Sequence, residues 1–216
     1  MKKLFFLYMI GMLLIGMWSC EEDYVPESTN AVDFAGDWFY EVQSPDGDVY
    51  LSYDYESDFL MTYNSSENRE NEVWIDDQEV FLYFKSKFTL EGEPSEFSSS
   101  DLAINEYEFH EPDEDPTSAG ESAEVEIDYG VVGISNGKIL EDAATVWQDK
   151  EQATADSIYF ETEFYTATFN FNSVESDTEG EFVWELDDPA FSIDEATEEI
   201  YVVSGHRKTG WEVHIE

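Results

Sequence analysis

Ser204 and His206 are the residues best suited by type and spacing to nucleophilic catalysis. Side chains two residues apart in a strand leave the same face, so a histidine base would lie beside a serine nucleophile. Asp76 or Asp77 would then be the acid that orients the histidine ring. However, residues two apart are roughly 6–7 Å apart along a strand, so a direct hydrogen bond is awkward. The spacing therefore favours a structural motif near a turn over catalysis.

The segment Gly133-Ile134-Ser135-Asn136-Gly137 fits the pattern of a nucleophile elbow on paper. That elbow needs a strand, a sharp turn and a helix. Here the Asn-Gly pair is typical of a hairpin turn and is followed by another strand-like run. The sequence therefore predicts a β-turn at this point rather than a catalytic serine.

A second group of polar residues surrounds a tryptophan. Its members are Asn64, Asn68, Asn71, Trp74, Asp76 and Asp77. Amides and carboxylates beside an indole suit a hydrogen-bonded barrel rim, or a contact with a sugar or a lipid headgroup. Asn and Asp are also common turn formers, so a set of turns explains the same residues equally well.

The single cysteine, Cys20, follows a typical export signal. Two lysines precede an uncharged apolar run over residues 4–18, which is shorter than the roughly 20 residues of a membrane-spanning helix. This order predicts a signal peptide over residues 1–19 and, with cysteine at the cut point, a lipoprotein. We expect a lipidated Cys20, a tether over 20–32 and a domain over 33–216, anchored to a membrane by the lipid.

The chain is strongly acidic, with 52 Asp and Glu against nine Lys and Arg and a net charge of −43. Such a surface repels nucleic acid and anionic headgroups, which argues against a nucleic-acid partner and keeps the domain off the bilayer except at its anchor. Solubility, adaptation to salt and calcium-dependent shielding each explain this acidity. Three scattered histidines and no second cysteine predict no metal site, no cofactor and no disulfide framework.

From Asp33 onward, apolar and polar residues alternate as in half-buried strands. The clearest runs cover residues 48–55, 80–90, 124–131, 158–164, 181–186 and 200–203. Turn residues separate them at Pro45-Asp46-Gly47, Asn136-Gly137 and Asp187-Asp188-Pro189. Successive strands with one polar face and no βαβ pattern predict an all-β antiparallel barrel of about eight strands with little helix.

One pair of residues indicates the kind of barrel. The first strand begins Gly36-Asp37-Trp38, and Arg207 lies in the last strand region. This pair resembles the barrel-closing signature of lipocalin-like folds, in which a guanidinium lies across an indole and seals one end. We therefore expect Trp38 and Arg207 to brace the first and last strands of a closed ring.

Six stretches spread over most of the domain are similar to a known family. They are residues 63–66 with Asn68, 71–77, 84–87, 137–139, 156–158 and 203–210, of which Ser204-Gly205-His206-Arg207-Lys208-Thr209-Gly210 is the most specific. In these residues the chain resembles the lipid-binding putative hydrolase family of Bacteroidetes-type lipoproteins. The resemblance implies a lipocalin-like barrel tethered at the cell envelope, and the acidic residues after Cys20 resemble the family's signal for export to the outer surface. What the resemblance implies is therefore an anchor in the outer membrane and exposure at the cell surface.

We therefore expect a surface-anchored barrel that binds a small apolar or amphipathic, lipid-like ligand. Its interior would be lined by Trp38, Tyr40, Leu51, Tyr53, Phe84 and Tyr129. One alternative is a weak esterase-like hydrolase that uses Ser204 and His206. Another is a structural accessory subunit of a surface nutrient-uptake assembly, with outer-membrane protein partners, because abundant aromatic residues fit a solidly packed barrel equally well.

Overall fold

A computed structural model describes residues 31–53, 59–69, 71–148, 151–178 and 180–208. The predicted signal peptide, Cys20 and all but the last two residues of the tether lie outside these ranges and stay predictions. Within the described ranges, no helix is long and apolar enough to cross a membrane.

The described part of the chain forms strands and one short 3-10 helix. The strands are β1 (Gly36–Gln43), β2 (Val49–Leu51), β3 (Leu60–Asn64), β4 (Glu72–Asp76), β5 (Lys85–Glu93), β6 (Glu96–Ser99), β7 (Ala103–Ile104), β8 (Ser122–Gln148), β9 (Glu151–Glu175), β10 (Phe182–Ile193) and β11 (Glu199–Arg207). The 3-10 helix, Glu195–Thr197, precedes β11 and is capped by the Asp194 side chain, which accepts a hydrogen bond from Ala196 N.

Eight strands close into an antiparallel ring that is not evenly round. Their order is β1, β3, β4, β5, β6, β8, β9 and β11, and β11 pairs back onto β1. The predicted all-β, lipocalin-like barrel is thereby confirmed. Closure supplies each ring strand with two neighbours, which protects edges that would otherwise pair with other chains.

Strands β8 and β9 are long enough to serve three parts of the fold. Their central portions pair within the ring, between residues 131–140 and 157–165. Beyond one end of the ring, residues 122–127 of β8 pair with β9, and β10 pairs with the other side of β9, forming a three-stranded extension. Beyond the other end, the two strands pair with each other through residues 144–148 and 151–155.

Large aromatic side chains fill the centre of the ring. Among the largest fully buried are Trp38, Tyr40, Phe84, Phe88, Phe160 and Phe164. A second buried cluster lies under the extension and includes Ile127, Val131, Tyr165, Ala167, Phe169 and Phe171. Alternation thus directs one face of each ring strand into a packed core, as period-two patterning requires.

Two of the three predicted turns are wrong. Asn136-Gly137 lies inside β8, where the pairing register shifts between Ser135 and Lys138. Asp187-Asp188-Pro189 lies inside β10, at another register shift. Asn136 has a positive φ of 52°, and Pro189 has no N–H to donate. Either feature can interrupt the hydrogen bonds between two paired strands as well as form a turn, so both segments form bulges. The turn at residues 45–47 is confirmed, and Gly47 N donates to the Ser44 carbonyl at 2.9 Å.

Two predicted strands are shorter in the structure. Within residues 48–53, the described part of the run over 48–55, the strand covers Val49–Leu51, and Val49 and Tyr50 are 51% and 52% exposed. In the run over 80–90, the strand begins at Lys85, because the preceding residues form a loop. That loop is organised by Asp77.

Candidate functional site

One end of the ring is sealed. Trp38 and Arg207 are paired across β1 and β11, and Arg207 Cζ lies 4.5 Å from the centre of the Trp38 ring. Arg207 Nε donates to Asp156 Oδ2 at 2.9 Å, and Nη1 donates to the Ala35 carbonyl at 2.6 Å. A Cβ at Gly36 would lie 2.7 Å from Nη1, so glycine leaves the room that the guanidinium needs. The arginine therefore ties β9, β11 and the start of β1 together.

The three asparagines of the predicted polar group lie toward this sealed end, around the β3–β4 connection. Asn68 and Asn71 have φ angles of 48° and 60°, the left-handed region that asparagine tolerates. Asn64 Nδ2 donates to the Ser65 carbonyl at 2.9 Å, and the Asn71 carbonyl accepts from Leu90 N at 2.8 Å. These contacts are those of turn-forming residues.

Asp77 organises a loop at the opposite end of the ring, which we call the mouth. Its fully buried carboxylate accepts four backbone N–H groups of the mouth loop, residues 77–84. The donors are Glu79, Phe81, Tyr83 and Phe84, at 2.8–3.2 Å. Burial raises the pKa of Asp77 above its ordinary value, and hydrogen bonds from the loop backbone offset part of that rise.

Asp76 projects from the outer face of the ring. Its Oδ1 accepts from Tyr107 Oη at 2.7 Å and from Gln78 N at 2.8 Å. Its Oδ2 accepts from Tyr63 Oη at 3.4 Å and lies 3.8 Å from Lys85 Nζ. Burial and the negative charge of Asp76 raise the pKa of Tyr63 to about 12. Asp76 and Asp77 therefore both have local partners.

An aromatic pocket of about 240 Å³ opens at the mouth. It is lined by Phe81, Leu82, Tyr83, Glu108, Tyr129, Phe164 and Tyr201. The buried Phe164 joins this pocket to the ring core, and the rings of Tyr129 and Tyr201 lie 5.6 Å and 5.9 Å from it. Apolar walls with a few polar groups are usual for small-molecule sites, although this volume is below their common range of about 300–1,000 Å³.

The rim of the mouth pocket is amphipathic. Tyr50, 52% exposed, lies 6.1 Å from the Phe81 ring and 6.0 Å from the Tyr201 ring. Tyr201 Oη donates to Glu199 Oε2 at 2.8 Å, and burial together with this hydrogen bond raises the pKa of Tyr201. The mouth therefore presents aromatic rings toward the pocket and hydroxyl and carboxylate groups toward solvent.

The residues predicted to line the interior are divided between three places. Those fully buried in the ring core are Trp38, Tyr40 and Phe84. Leu51 packs against that core, and Tyr129 lines the mouth pocket. Tyr53 was placed wrongly by the alternation, because it follows the end of β2 and stacks 5.7 Å from His206 on the outer face of the ring.

Ser204 and His206 lie on the outer face of β11. Their partners on β1 are Glu41 and Phe39, whereas the alternate residues of β1 point into the core. The buried His206 ring packs 5.7 Å from Phe39 and 5.7 Å from Tyr53. Burial lowers its pKa below the ordinary value for histidine.

The structure does not bring the proposed acid to this histidine. Asp76 ends β4, which is three strands from β11 around the ring, or about 14 Å at the usual strand spacing. The carboxylate of Asp77 accepts its hydrogen bonds from the backbone of the mouth loop. Within the described ranges, no three His, Cys, Asp or Glu side chains gather as a metal site either.

Several mouth residues escaped the sequence analysis, namely Phe81, Leu82, Tyr83, Glu108, Phe164 and Tyr201. The sequence contains one feature that indicates the mouth loop. The five apolar residues at positions 80–84 break the period-two alternation, and they follow the polar segment 76–79, which contains two aspartates. An unbroken apolar run after such a polar segment is better explained by a loop than by a strand with one solvated face.

A closed antiparallel ring with one sealed end and an aromatic pocket at the other defines a lipocalin-like β-barrel protein. The sequence profile of the family described as "lipid-binding putative hydrolase" matches residues 23–212, and this chain belongs to that family. The match confirms the resemblance noted in the six stretches. No curated protein shows significant similarity to the chain.

Proposed function

We propose that this protein is an outer-membrane lipoprotein whose barrel binds the apolar part of a lipid-like small molecule at its mouth. The observation that carries the proposal is the aromatic pocket of about 240 Å³ between the mouth loop and β11. Membership of a family described as lipid-binding supports the class of ligand. The signal sequence and Cys20 support the location.

The packing below the pocket limits how deeply a ligand enters. Phe84 and Phe164 are both fully buried, and their ring centres are 5.7 Å apart in an edge-to-face contact. An acyl chain would therefore rest on Phe164 between Tyr129 and Tyr201 rather than pass along the barrel axis. Only a short apolar segment is enclosed, and the headgroup stays at the rim.

The size of the enclosed segment sets the expected affinity. Each buried methylene contributes about 0.8 kcal/mol, so about five methylenes contribute about 4 kcal/mol. That free energy alone corresponds to a Kd of about 1 mM. Useful affinity therefore requires contacts at the rim, where Glu108 and Glu199 disfavour an anionic headgroup. A neutral or zwitterionic amphiphile is the ligand class that fits.

Binding of the neutral fluorescent probe N-phenyl-1-naphthylamine, with displacement by a monoacylglycerol, tests this proposal on the purified protein. We expect Phe81→Ala and Tyr201→Ala each to weaken probe binding about tenfold, because each removes one wall of the pocket. Tyr159→Ala is the matched control, since Tyr159 lies on the ring wall away from the mouth pocket. Probe binding that is absent, or that is equally strong in both mouth variants and the control, would contradict the proposal.

A further inference from the structure

Two stacked aromatic side chains lie on the outer wall of the ring. Tyr63 of β3 and Trp74 of β4 are directly opposed across the strand pair, with ring planes 17° apart and ring centres 6.4 Å apart. Both side chains are partly exposed. Trp74 projects outward because its neighbours Val73 and Ile75 are buried in the ring core. The exposed parts of the two stacked rings form an aromatic surface on the outside of the barrel.

Charged side chains of both signs border this surface. Lys87 is the cross-strand partner of Trp74, and Lys85 Nζ lies 5.7 Å from the Trp74 ring. Glu72 and Asp76 lie on the same face of β4, two residues before and two residues after Trp74. The Lys85–Asp76 and Lys87–Glu72 pairs are each 3.8 Å apart.

Glu72 retains an unused hydrogen-bond acceptor. It is only 6% exposed, yet its Oε1 has no hydrogen-bond partner among the residues that the structure describes. Its Oε2 lies 3.8 Å from Arg69 Nη1 and 3.8 Å from Lys87 Nζ, which is longer than a hydrogen bond. A buried carboxylate oxygen without a donor is unfavourable, so a hydroxyl group brought by a ligand would stabilise it.

The local charge differs from that of the rest of the molecule. Arg69, Lys85 and Lys87 are three of the nine basic residues of a chain with net charge −43. They are balanced here by Glu67, Glu72 and Asp76, with which they form ion pairs. A polyanion is still repelled by the surrounding acidic surface, whereas an uncharged ligand meets no such barrier.

We infer that this outer wall, defined by Tyr63, Glu72, Trp74, Lys85 and Lys87, binds a neutral oligosaccharide. The C–H groups of a sugar ring pack against the exposed parts of the aromatic pair. Sugar hydroxyls both donate and accept, so they match Glu72 Oε1 as acceptor and the two lysine ammonium groups as donors. This site is separate from the mouth pocket and does not depend on lipid binding.

Calorimetric titration of the purified protein with three neutral hexasaccharides, namely cellohexaose, maltohexaose and laminarihexaose, tests the inference. We expect at least one to bind, and Trp74→Ala to weaken that binding about tenfold. Tyr63→Ala and Glu72→Gln should each weaken it as well, and their thermal unfolding curves show whether the barrel remains folded. Phe81→Ala, at the mouth, should leave sugar binding unchanged while weakening binding of N-phenyl-1-naphthylamine.

Three results would overturn this assignment. One is the absence of binding to all three neutral hexasaccharides. Another is binding of a heparin hexasaccharide alone, which would identify an anion site. The third is sugar binding that survives Trp74→Ala at full strength in a folded protein. Failure of the lipid-probe experiment, by contrast, changes only the proposal for the mouth.

Discussion

The Asp77 carboxylate connects the ring wall to the mouth pocket. It follows β4 directly, and its oxygens accept four N–H groups from the loop that carries Phe81 and Tyr83. A loop of this kind otherwise needs water or strand partners for those donors. One buried side chain therefore holds two of the pocket-lining residues in place.

Asp77→Asn is expected to destabilise the protein by about 3 kcal/mol, because the amide has one acceptor oxygen and sets an NH₂ donor against backbone donors. Chemical denaturation measures this loss, and N-phenyl-1-naphthylamine binding should weaken in parallel. Asp46→Asn, in the exposed turn after β1, is the control and should change neither quantity. Wild-type stability in Asp77→Asn would show that the loop does not rely on this carboxylate.

His206 makes stability depend on pH in a predictable direction. Burial lowers its pKa in the folded state below the value of 6.5 for a free histidine. Between that lowered pKa and 6.5, the unfolded chain binds a proton that the folded chain does not, so the free energy of unfolding decreases as pH falls through this window. Denaturation at pH 7.5, 6.5 and 5.5 measures the free energy of unfolding. This free energy should decrease less with falling pH in His206→Gln than in His110→Gln, the control at an exposed site. Equal decreases in both variants would show that His206 is not the source of this pH dependence.

At the scale of elements, bulges shape the two longest strands. β8 and β9 change register at three points, between 127 and 131, 135 and 138, and 140 and 144 on β8. Positive φ angles at Tyr129, Asn136 and Asp142 accompany these shifts. Bulges bend strands and increase their twist. They allow β8 and β9 to follow the ring wall and still continue beyond both of its ends.

Gly137→Ala is expected to destabilise the protein by about 2 kcal/mol, because a Cβ there would lie 2.3 Å from Cε2 of the Phe97 ring. Phe97 is buried and is paired with Gly137 across β6 and β8. In the double variant Gly137→Ala with Phe97→Ala, the loss should be smaller than the sum of the single losses, as measured by denaturation. Strict additivity would show that the two residues do not compete for this space.

Period-two alternation was sufficient to predict the fold class and runs within four of the eight ring strands, β5, β8, β9 and β11. It did not mark β4, although Val73 and Ile75 of that strand point inward and Trp74 points outward. The bulge at Asn136-Gly137 was not predictable, because the same residues make a hairpin turn unless the strand finds its partner again beyond them. Here β8 regains β9 at Lys138, a contact between residues distant in sequence.

The candidate site was less predictable than the fold. The sequence predicts a polar group around Trp74, but the structure divides its members among turns, the mouth loop and the outer wall. The mouth pocket combines residues of the mouth loop with Glu108, Tyr129, Phe164 and Tyr201 from other segments. No local pattern records that these segments meet, because their convergence follows from ring closure.

At the scale of the whole molecule, excess negative charge opposes the compact state. A net charge of −43 on one chain creates self-repulsion that the few internal ion pairs offset only locally. Exposed ion pairs each contribute little to stability. The packed aromatic core and the closed ring must therefore supply most of the stabilisation.

Raising NaCl from about 0.1 M to about 1 M shortens the Debye length from about 10 Å to about 3 Å. We expect the midpoint of thermal unfolding to rise, because screening reduces repulsion between carboxylates. CaCl₂ at the same ionic strength is the comparison, and a much larger rise would indicate specific calcium shielding instead. A midpoint independent of NaCl would contradict this account of the acidity.

The hydrogen bond between Arg207 and Ala35 joins residues 172 positions apart. Ring closure therefore depends on contacts between residues that are very distant in sequence. Such contacts form slowly, because the long intervening chain must be ordered first. A chain that emerges N-terminus first leaves β1 without its β11 partner until β11 itself is available. We therefore expect any truncation before β11 to expose two strand edges at once and to aggregate.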